Sequence, residues 1–259
     1  MSITNIKEVA KFAGVSPATV SRVMNGTIAG DSVLGEKVLK AVRELKYYPN
    51  HIARALRTNA PYGPSFFERT SVQRDAKKAI AKAAWEKVSD EPILYIEAGT
   101  TTMALVEHLR EYKGEIYTNS LPIVTELMHV PNLRIHIWGG DVIPDVAATV
   151  GPTTVDAMKR SPKGVGLLTA SGLDERKGLT CFNPNSVFLK RTLIEISLKT
   201  YVLADHTKWD RQCTRHVASI SEIDEFITDD RTSVEHIEWV RSQGVVVTVV
   251  PVSNLDSRG

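Results

Sequence analysis

Residues 16–25 have the spacing of a helix and carry a hydroxyl at Ser21, a guanidinium at Arg22 and an amide at Asn25. Arg22 can donate two parallel hydrogen bonds to the edge of a guanine base, whereas Ser21 and Asn25 are suited to phosphate oxygens. Pro17 and Ala18 offer no side-chain hydrogen bond, so they would read a base by apolar contact or by exclusion. We therefore predict that this segment contacts duplex DNA.

Two short helices and a tight turn are needed to position these side chains. Asn5 is followed three residues later by Glu8, which is typical of a helix N-terminus. We therefore predict a helix that begins at Ile6 and ends at Gly14. Ser16 then caps a second helix, and Pro17 opens it because the first helical position needs no amide hydrogen. In a helix-turn-helix, this second helix enters the major groove. A three-helix bundle whose exposed polar residues bind nothing is the alternative. The third helix is predicted from the helical spacing of Val38, Leu39, Val42 and Leu45.

Residues 13–22 and 47–57 together resemble the headpiece of the lactose-repressor (LacI) family, and the match covers residues 3–58. The resemblance implies a hinge helix in which Leu56, beside Ala53, wedges between base steps in the minor groove. A core contact of a short helix is the alternative role of Leu56. Since two hinge helices share one groove, the resemblance also implies a dimer on a roughly palindromic site. The candidate DNA contacts are Asn5, Ser16, Pro17, Ala18, Thr19, Ser21, Arg22, Asn25, Asn50, Ala53 and Leu56.

Charge is distributed unevenly along the chain. Residues 1–58 hold nine Lys or Arg and four Asp or Glu, out of 32 and 30 in the whole chain, so positive charge is concentrated in the head. This distribution is typical of a protein that binds phosphates through one end. Cys181 and Cys213 have no metal-ligand spacing and indicate a reducing compartment without a disulfide. With no signal peptide and no apolar run of about 20 residues, we expect a cytoplasmic protein without membrane contact.

A linker is expected to separate the head from a larger domain. Residues 59–65 contain two prolines and a glycine, which is typical of an extended connection. Beyond it, short apolar runs alternate with helical stretches, beginning with a predicted helix over 75–88. This alternation predicts an α/β domain with a mostly parallel sheet. The predicted organisation is a small all-α helix-turn-helix head over 1–58, a linker over 59–72 and an α/β domain over 73–259.

Polar residues follow several of the predicted strands, at the sheet edge where parallel sheets bind ligands. A glycine and three threonines at 99–102 lie between a predicted strand and a helix, so their amides and hydroxyls could cradle an anion such as a phosphate. A plain strand-to-helix turn with a threonine cap is the alternative. Further polar groups expected at the same edge are Asn119, Ser120, Asp205 and Lys208.

The larger domain resembles the sensor domain of the DeoR family of transcription regulators. The resemblance runs from about residue 66 to 230 and is carried by residues 99–102, 118–122, 139–140, 151–152, 172–174, 178–180, 190–191 and 203–205 with Lys208. It implies a fold similar to that of sugar-phosphate isomerases and an effector that is a phosphorylated sugar or a related metabolite. Near the implied pocket, Glu97 and Ser171 depart from the family pattern. The implied effector contacts are Gly99, Thr100, Thr101, Thr102, Asn119, Ser120, Gly140, Lys190, Asp205 and Lys208.

These features predict a sequence-specific transcription regulator, a repressor of a carbohydrate-metabolism operon that a bound metabolite controls. Its expected partners are double-stranded operator DNA, a small-molecule effector and further copies of itself in a homodimer or higher homo-oligomer. We predict no catalytic residue, no cofactor and no metal site. One alternative is an enzyme similar to sugar-phosphate isomerases, whose general base would be Glu97, Asp174, Asp205 or His206. The other is a constitutive DNA-binding protein with a purely structural body.

Overall fold

A computed structural model describes residues 6–24, 32–45, 65–209, 211 and 213–252. The chain divides into two compact units, residues 1–60 and residues 61–259. No helix among the described residues is long and apolar enough to cross a membrane.

The described part of the first unit consists of three helices: α1 (Ile6–Ala13), α2 (Pro17–Met24) and α3 (Val33–Glu44). Gly14, at a φ of +66°, ends α1 in the left-handed conformation that glycine adopts readily. Ser16 caps α2, since its Oγ accepts a hydrogen bond from Thr19 N at 3.1 Å. These local signals confirm the predicted helix-turn-helix. The core between the helices is formed by Val9, Ala10, Val20, Val23, Val38 and Ala41.

The second unit is built on a parallel sheet of seven strands, as the alternating pattern predicted. These strands are β1 (Ile93–Ile96), β2 (Glu115–Thr118), β3 (Arg134–Ile137), β6 (Gly164–Thr169), β9 (Ser197–Leu203), β11 (Glu225–Asp229) and β12 (Val246–Val250). Their spatial order is β12–β11–β9–β6–β1–β2–β3. Two small antiparallel sheets accompany them, formed by β4 (Asp141–Ile143) with β5 (Ala148–Val150), and by β7 (Gly172–Asp174), β8 (Gly178–Cys181) and β10 (Arg215–Ala218).

Helices pack against the sheet and bury its central strands on both sides, as is usual for parallel sheets. They are α4 (Phe66–Thr70), α5 (Arg74–Val88), α6 (Val106–Leu109), α7 (Leu121–Leu127), α8 (Pro152–Lys159), α9 (Pro184–Ile196) and α10 (Val234–Ser242). Successive strand residues point to opposite faces. In β1, for example, Tyr95 belongs to one hydrophobic core, while Leu94 and Ile96 belong to the other. The predicted α/β fold class is therefore confirmed.

The structure differs from the predicted linker at 59–72, because α4 lies within that range. Ser65 and Glu68 form a capping box: Ser65 N donates to the Glu68 carboxylate, and Glu68 N donates to Ser65 Oγ at 3.4 Å. The helix is also held against the domain, since Phe66 is buried and its backbone N donates to Asp145 O at 2.6 Å. The sequence contains this capping signal directly after the prolines and glycine of residues 61–64.

The strand order places the carboxyl end of β1 at a point where the chain changes direction across the sheet. β2 and β3 follow on one side of β1, whereas β6, β9, β11 and β12 lie on the other side. In open parallel sheets, a crevice forms at such a point, and ligands bind there. The loops that follow β1, β2, β6 and β9 all lie at this edge because the strands are parallel.

Candidate functional site

The carboxyl ends of four neighbouring strands surround one pocket of the second unit. Glu97 follows β1, Asn119 follows β2, Thr169 ends β6, and Lys208 follows β9. The walls are completed by the β4–β5 hairpin, by β8 and by the helices α4 and α9. They contribute Arg69, Val146, Ala148, Val150, Cys181, Phe182, Asn183, Ser186, Leu189 and Lys190. Residues as far apart in the chain as Arg69 and Arg211 therefore meet at one site.

A buried ion pair forms one wall of this pocket. Lys190 Nζ lies 2.5 Å from Oε1 and 2.6 Å from Oε2 of Glu97, and it also donates to Thr169 O at 2.5 Å. Thr169 N donates to Glu97 Oε2 at 2.9 Å. The Lys190 and Glu97 side chains are only 4% and 6% exposed, so removal of either charge would leave the other buried without compensation. The pair therefore supports the wall of the pocket as well as lining it.

The glycine–threonine loop at 99–102 divides into two pairs of residues. Thr100 and Thr101 line the pocket. Gly99 and Thr102 serve the fold: Thr102 Oγ1 donates to Glu97 O at 2.6 Å and to Gly99 O at 3.1 Å. A Cβ on Gly99 would lie 2.7 Å from the Thr169 side chain, so glycine is needed there for close packing. The loop that sequence assigned to phosphate thus presents two of its four residues to the pocket.

Three other residues predicted to contact the effector also have a structural role within the domain. Asn119 lines the pocket, but its Oδ1 accepts from Ala98 N at 2.8 Å and its Nδ2 donates to Thr149 O at 3.1 Å. Ser120 lies outside the lining, where its Oγ caps α7 by accepting from Ile123 N at 3.4 Å. Gly140, at a φ of +151°, packs against Thr154, and a Cβ there would lie 2.1 Å from Thr154 Oγ1.

Lys208 and Asp205 form a second, more loosely joined pair. Lys208 lines the pocket, and its Nζ lies 3.5 Å from Asp205 Oδ2. Asp205 is fully buried behind it, and its Oδ1 accepts from Thr207 N at 3.0 Å. Burial alone would raise the pKa of Asp205, but Lys208 and the hydrogen bonds from Thr207 outweigh it and hold that pKa below its ordinary value. Burial lowers the pKa of Lys208, and Asp205 opposes that shift.

The sequence did not predict two cations and one amide of the pocket lining. Arg69 lies on α4, in the segment assigned to the linker, and Arg211 stacks its guanidinium 5.3 Å from the centroid of the Phe182 ring. Asn183 caps α9 with its Oδ1, whereas its Nδ2 is buried without a hydrogen-bond partner among the described residues. The Asn183-Pro184 pair was a signal for a helix start, but nothing local indicated an unused donor.

The electrostatic character of the pocket follows from its charged lining. Four cations line it among the described residues: Arg69, Lys190, Lys208 and Arg211. Glu97 is the one carboxylate among the described lining residues, and Lys190 already neutralises it. A buried cation without a counter-ion is costly, so this arrangement favours an anionic ligand. No group of His, Cys, Asp and Glu suited to a metal ion occurs among the described residues.

The four candidate bases of the enzyme alternative are not set up to remove a proton in this pocket. Glu97 is bound to Lys190, and Asp205 is covered by Thr207 and Lys208. Asp174 accepts two backbone hydrogen bonds, at 2.8 and 2.9 Å, within its own turn. His206 Nδ1 contacts the buried Asp229 at 2.8 Å. A general base must reach the substrate proton. Of the four groups, Glu97 alone is among the described residues that line the pocket, and Lys190 holds its carboxylate.

The candidate DNA contacts are only partly within the described residues. Pro17 and Ala18 are exposed on the first turn of α2, Ser16 is exposed at its cap, and Thr19 is half-buried. Ser21 and Arg22 lie on α2, but their side chains are outside the described part. The remaining candidates, Asn5, Asn25, Asn50, Ala53 and Leu56, lie outside the described residues.

Comparisons with known proteins match the two units to two families. The family model for "DeoR C terminal sensor domain" matches residues 72–230, and the model for "Bacterial regulatory proteins, lacI family" matches residues 5–50. The glycerol-3-phosphate regulon repressor of Escherichia coli (strain K12) is 27% identical over 224 residues, which cover 86% of this chain and 83% of that protein. The HTH-type transcriptional regulator GlpR of Haloferax volcanii is 33% identical over 175 residues, covering 67% and 68%.

A solved structure also matches the head. The solution structure of a dimer of the lac repressor DNA-binding domain, complexed to its natural operator O1, is 41% identical to the matching part of this chain. It covers 23% of this chain and 97% of that chain, with a TM-score of 0.21.

Proposed function

The chain belongs to the DeoR family of transcription regulators and carries a LacI-family head, and we propose that it represses a carbohydrate-metabolism operon under control of a phosphorylated sugar or a related metabolite. It is a DNA-binding regulator and not an enzyme. The family assignment supplies operator DNA and a small-molecule effector as partners. The identity of the effector and the oligomeric state are the parts that we propose.

The cationic pocket is the observation that carries the choice of effector. Four cations against one carboxylate, with Asp205 behind Lys208, leave a net positive charge of about two for a ligand to neutralise. A phosphate monoester carries about −1.5 to −2 at neutral pH, which matches this excess. Thr100, Thr101 and the unused donor of Asn183 supply the hydrogen bonds that sugar hydroxyls would need. The name of the Escherichia coli relative, a glycerol-3-phosphate regulon repressor, points to the same chemical class.

We further propose that two protomers bind a roughly palindromic operator through α2 and residues 47–58. On this proposal Arg22 reads a base edge and Leu56 wedges between base steps. The effector changes operator affinity only by the difference between its affinities for the DNA-competent and DNA-incompetent states. The pocket therefore controls the head by shifting a population.

Operator binding and ligand binding can be tested together on the full chain. We expect a gel shift with the DNA upstream of the chain's own gene, and the shift should change when glycerol 3-phosphate, ribose 5-phosphate or fructose 6-phosphate is added. The active compound should also raise the melting temperature, because it binds only the folded state. Glycerol, ribose and fructose, which lack the phosphate, should have no effect at equal concentration.

Asn183→Asp is the matched variant for this experiment. Aspartate keeps the acceptor that caps α9, but it removes the unused donor and adds a negative charge to the pocket. We expect affinity for the active compound to fall about tenfold or more while operator binding is retained. Unchanged affinity in this variant, or equal binding of the phosphate-free compounds, would contradict the proposed pocket.

A further inference from the structure

Arg69 lies outside the part of the chain that matches the sensor family, yet it lines the pocket. The family match begins at residue 72, and Arg69 lies on α4, which the sequence assigned to the linker. In the part of the chain that the structure describes, three contacts hold α4 on its own domain. Phe66 is buried, Phe66 N donates to Asp145 O at 2.6 Å, and Lys77 Nζ donates to Arg69 O at 2.5 Å. The guanidinium is thus presented to the pocket by a short helix with few anchors.

The guanidinium of Arg69 has no carboxylate partner among the described residues. Its Nε donates to Ser65 O at 3.3 Å, and the nearby Glu97 is already bound by Lys190 at 2.5 Å. Arg211 brings a like charge to the same pocket. Burial lowers the pKa of Arg69; Glu97 opposes this shift, and Arg211 adds to it. A guanidinium in such surroundings is stabilised when an anion binds beside it.

We propose that Arg69 binds the anionic group of the effector and thereby fixes α4 when the pocket is occupied. This inference rests on the proposed function, because it takes the pocket to be the effector site. Guanidinium is suited to this role since its planar donors match two oxygens of a phosphate at once. The geometry also has a consequence for regulation. In the described chain, α4 is the first helix after the head, so occupancy of the pocket acts on the part of the sensor that is nearest to the head in sequence.

The test compares Arg69 variants of the full chain with a matched control. Arg69→Gln removes the charge and Arg69→Lys keeps it without the fork, whereas Arg74→Ala removes an exposed arginine that lies outside the pocket lining. The probes are glycerol 3-phosphate, ribose 5-phosphate and inorganic phosphate, and binding is measured by calorimetry. We expect Arg69→Gln to lose about tenfold or more in affinity, Arg69→Lys to lose less, and Arg74→Ala to bind as the wild type does.

Hydrogen exchange of the wild type provides a measurement that needs no variant. Saturating probe should slow amide exchange in a peptide covering residues 65–73, because an anion bound by Arg69 opposes local opening of α4. Arg69→Gln should lose that added protection, and its melting temperature without probe should equal or exceed that of the wild type. This last result separates loss of a ligand contact from loss of a structural contact.

The outcomes distinguish this inference from the proposed function. If the wild type binds a probe, and Arg69→Gln binds it equally well or residues 65–73 gain no protection, the role of Arg69 is wrong while the effector site stands. If the wild type binds none of the three phosphates, the proposed function fails for these ligands, and the role of Arg69 fails with it.

Discussion

The head and the sensor pocket use polar and exposed positions in opposite ways. On α2, Pro17 and Ala18 are exposed and do not belong to the apolar core of the head, so their side chains are accessible to a partner. In the pocket, Lys190 and Glu97 are buried against each other, and Thr102 is tied to the backbone. A convex surface that reads DNA must leave its groups free, whereas a pocket can use the same groups to build its own walls. Substitution of exposed residues on α2 should therefore alter binding alone, whereas substitution of the buried ion pair should alter binding and stability together.

The largest expected effect belongs to the buried ion pair. Lys190→Met would leave the Glu97 carboxylate buried without its cation, and we expect the sensor domain to lose about 3–5 kcal/mol of unfolding free energy. Urea unfolding of the full chain, followed by circular dichroism, measures this loss. Effector binding should be lost as well, since Lys190 also lines the pocket.

Two further variants sharpen this result. Lys159→Met removes an exposed lysine on α8 and should change stability by less than about 0.5 kcal/mol. The double variant Glu97→Gln with Lys190→Met removes both charges, so it should recover part of the lost stability. A wild-type unfolding curve for Lys190→Met would show that the pair contributes nothing to the fold, and the contrast between pocket and head would then fail.

The corresponding substitution in the head should weaken DNA binding without a loss of stability. Arg22→Ala removes the guanidinium proposed to read a base edge, and we expect operator affinity to weaken by about 1–3 kcal/mol. Stability should stay within about 0.5 kcal/mol of the wild type, because a side chain that faces DNA, as we propose for Arg22, does not pack in the apolar core. Fluorescence anisotropy with operator and with unrelated DNA measures the ratio of specific to non-specific affinity.

Lys37→Ala is the control for this change, because it removes an exposed positive charge from α3. Both variants lose one charge, but only Arg22→Ala should reduce the ratio of specific to non-specific affinity, since loss of a phosphate contact weakens binding to all sequences alike. Equal ratios in the two variants would remove Arg22 from the base-reading surface.

Local signals explain why the sequence predicted the helix-turn-helix head and the parallel sheet with polar residues at one edge. The cap at Ser16 and the left-handed Gly14 act within a few residues, and parallel strands bring their carboxyl ends to one edge whatever surrounds them. The sequence could not predict which of these residues line the pocket and which stabilise the backbone, because that depends on partners far away in the chain. The Asn119 amide donates to Thr149 O, 30 residues away, and Gly140 packs against Thr154, which follows the β4–β5 hairpin. Arg69 was missed although Ser65 and Glu68 carry the capping signal that starts its helix.

Ser120 gives the smallest effect and the finest test of the contrast. The sequence suggested an effector contact, whereas the structure places its Oγ on Ile123 N, as the cap of α7. Ser120→Ala should therefore cost about 0.5–2 kcal/mol of stability and leave effector affinity unchanged. Thr125→Ala removes an exposed hydroxyl from the same helix without removing a cap, so it should cost less.

A loss of effector affinity in Ser120→Ala, at unchanged stability, would indicate that Ser120 contacts the effector and would contradict its role as the cap of α7. A loss of both would mean that α7 itself transmits its order to the pocket, because Asn119 lies directly before the cap and lines that pocket. The expected result, lower stability with intact binding, separates the residues that hold this wall from those that meet the ligand. That separation is what the strand-end pattern alone could not provide, since both kinds of residue occupy the same edge of the sheet.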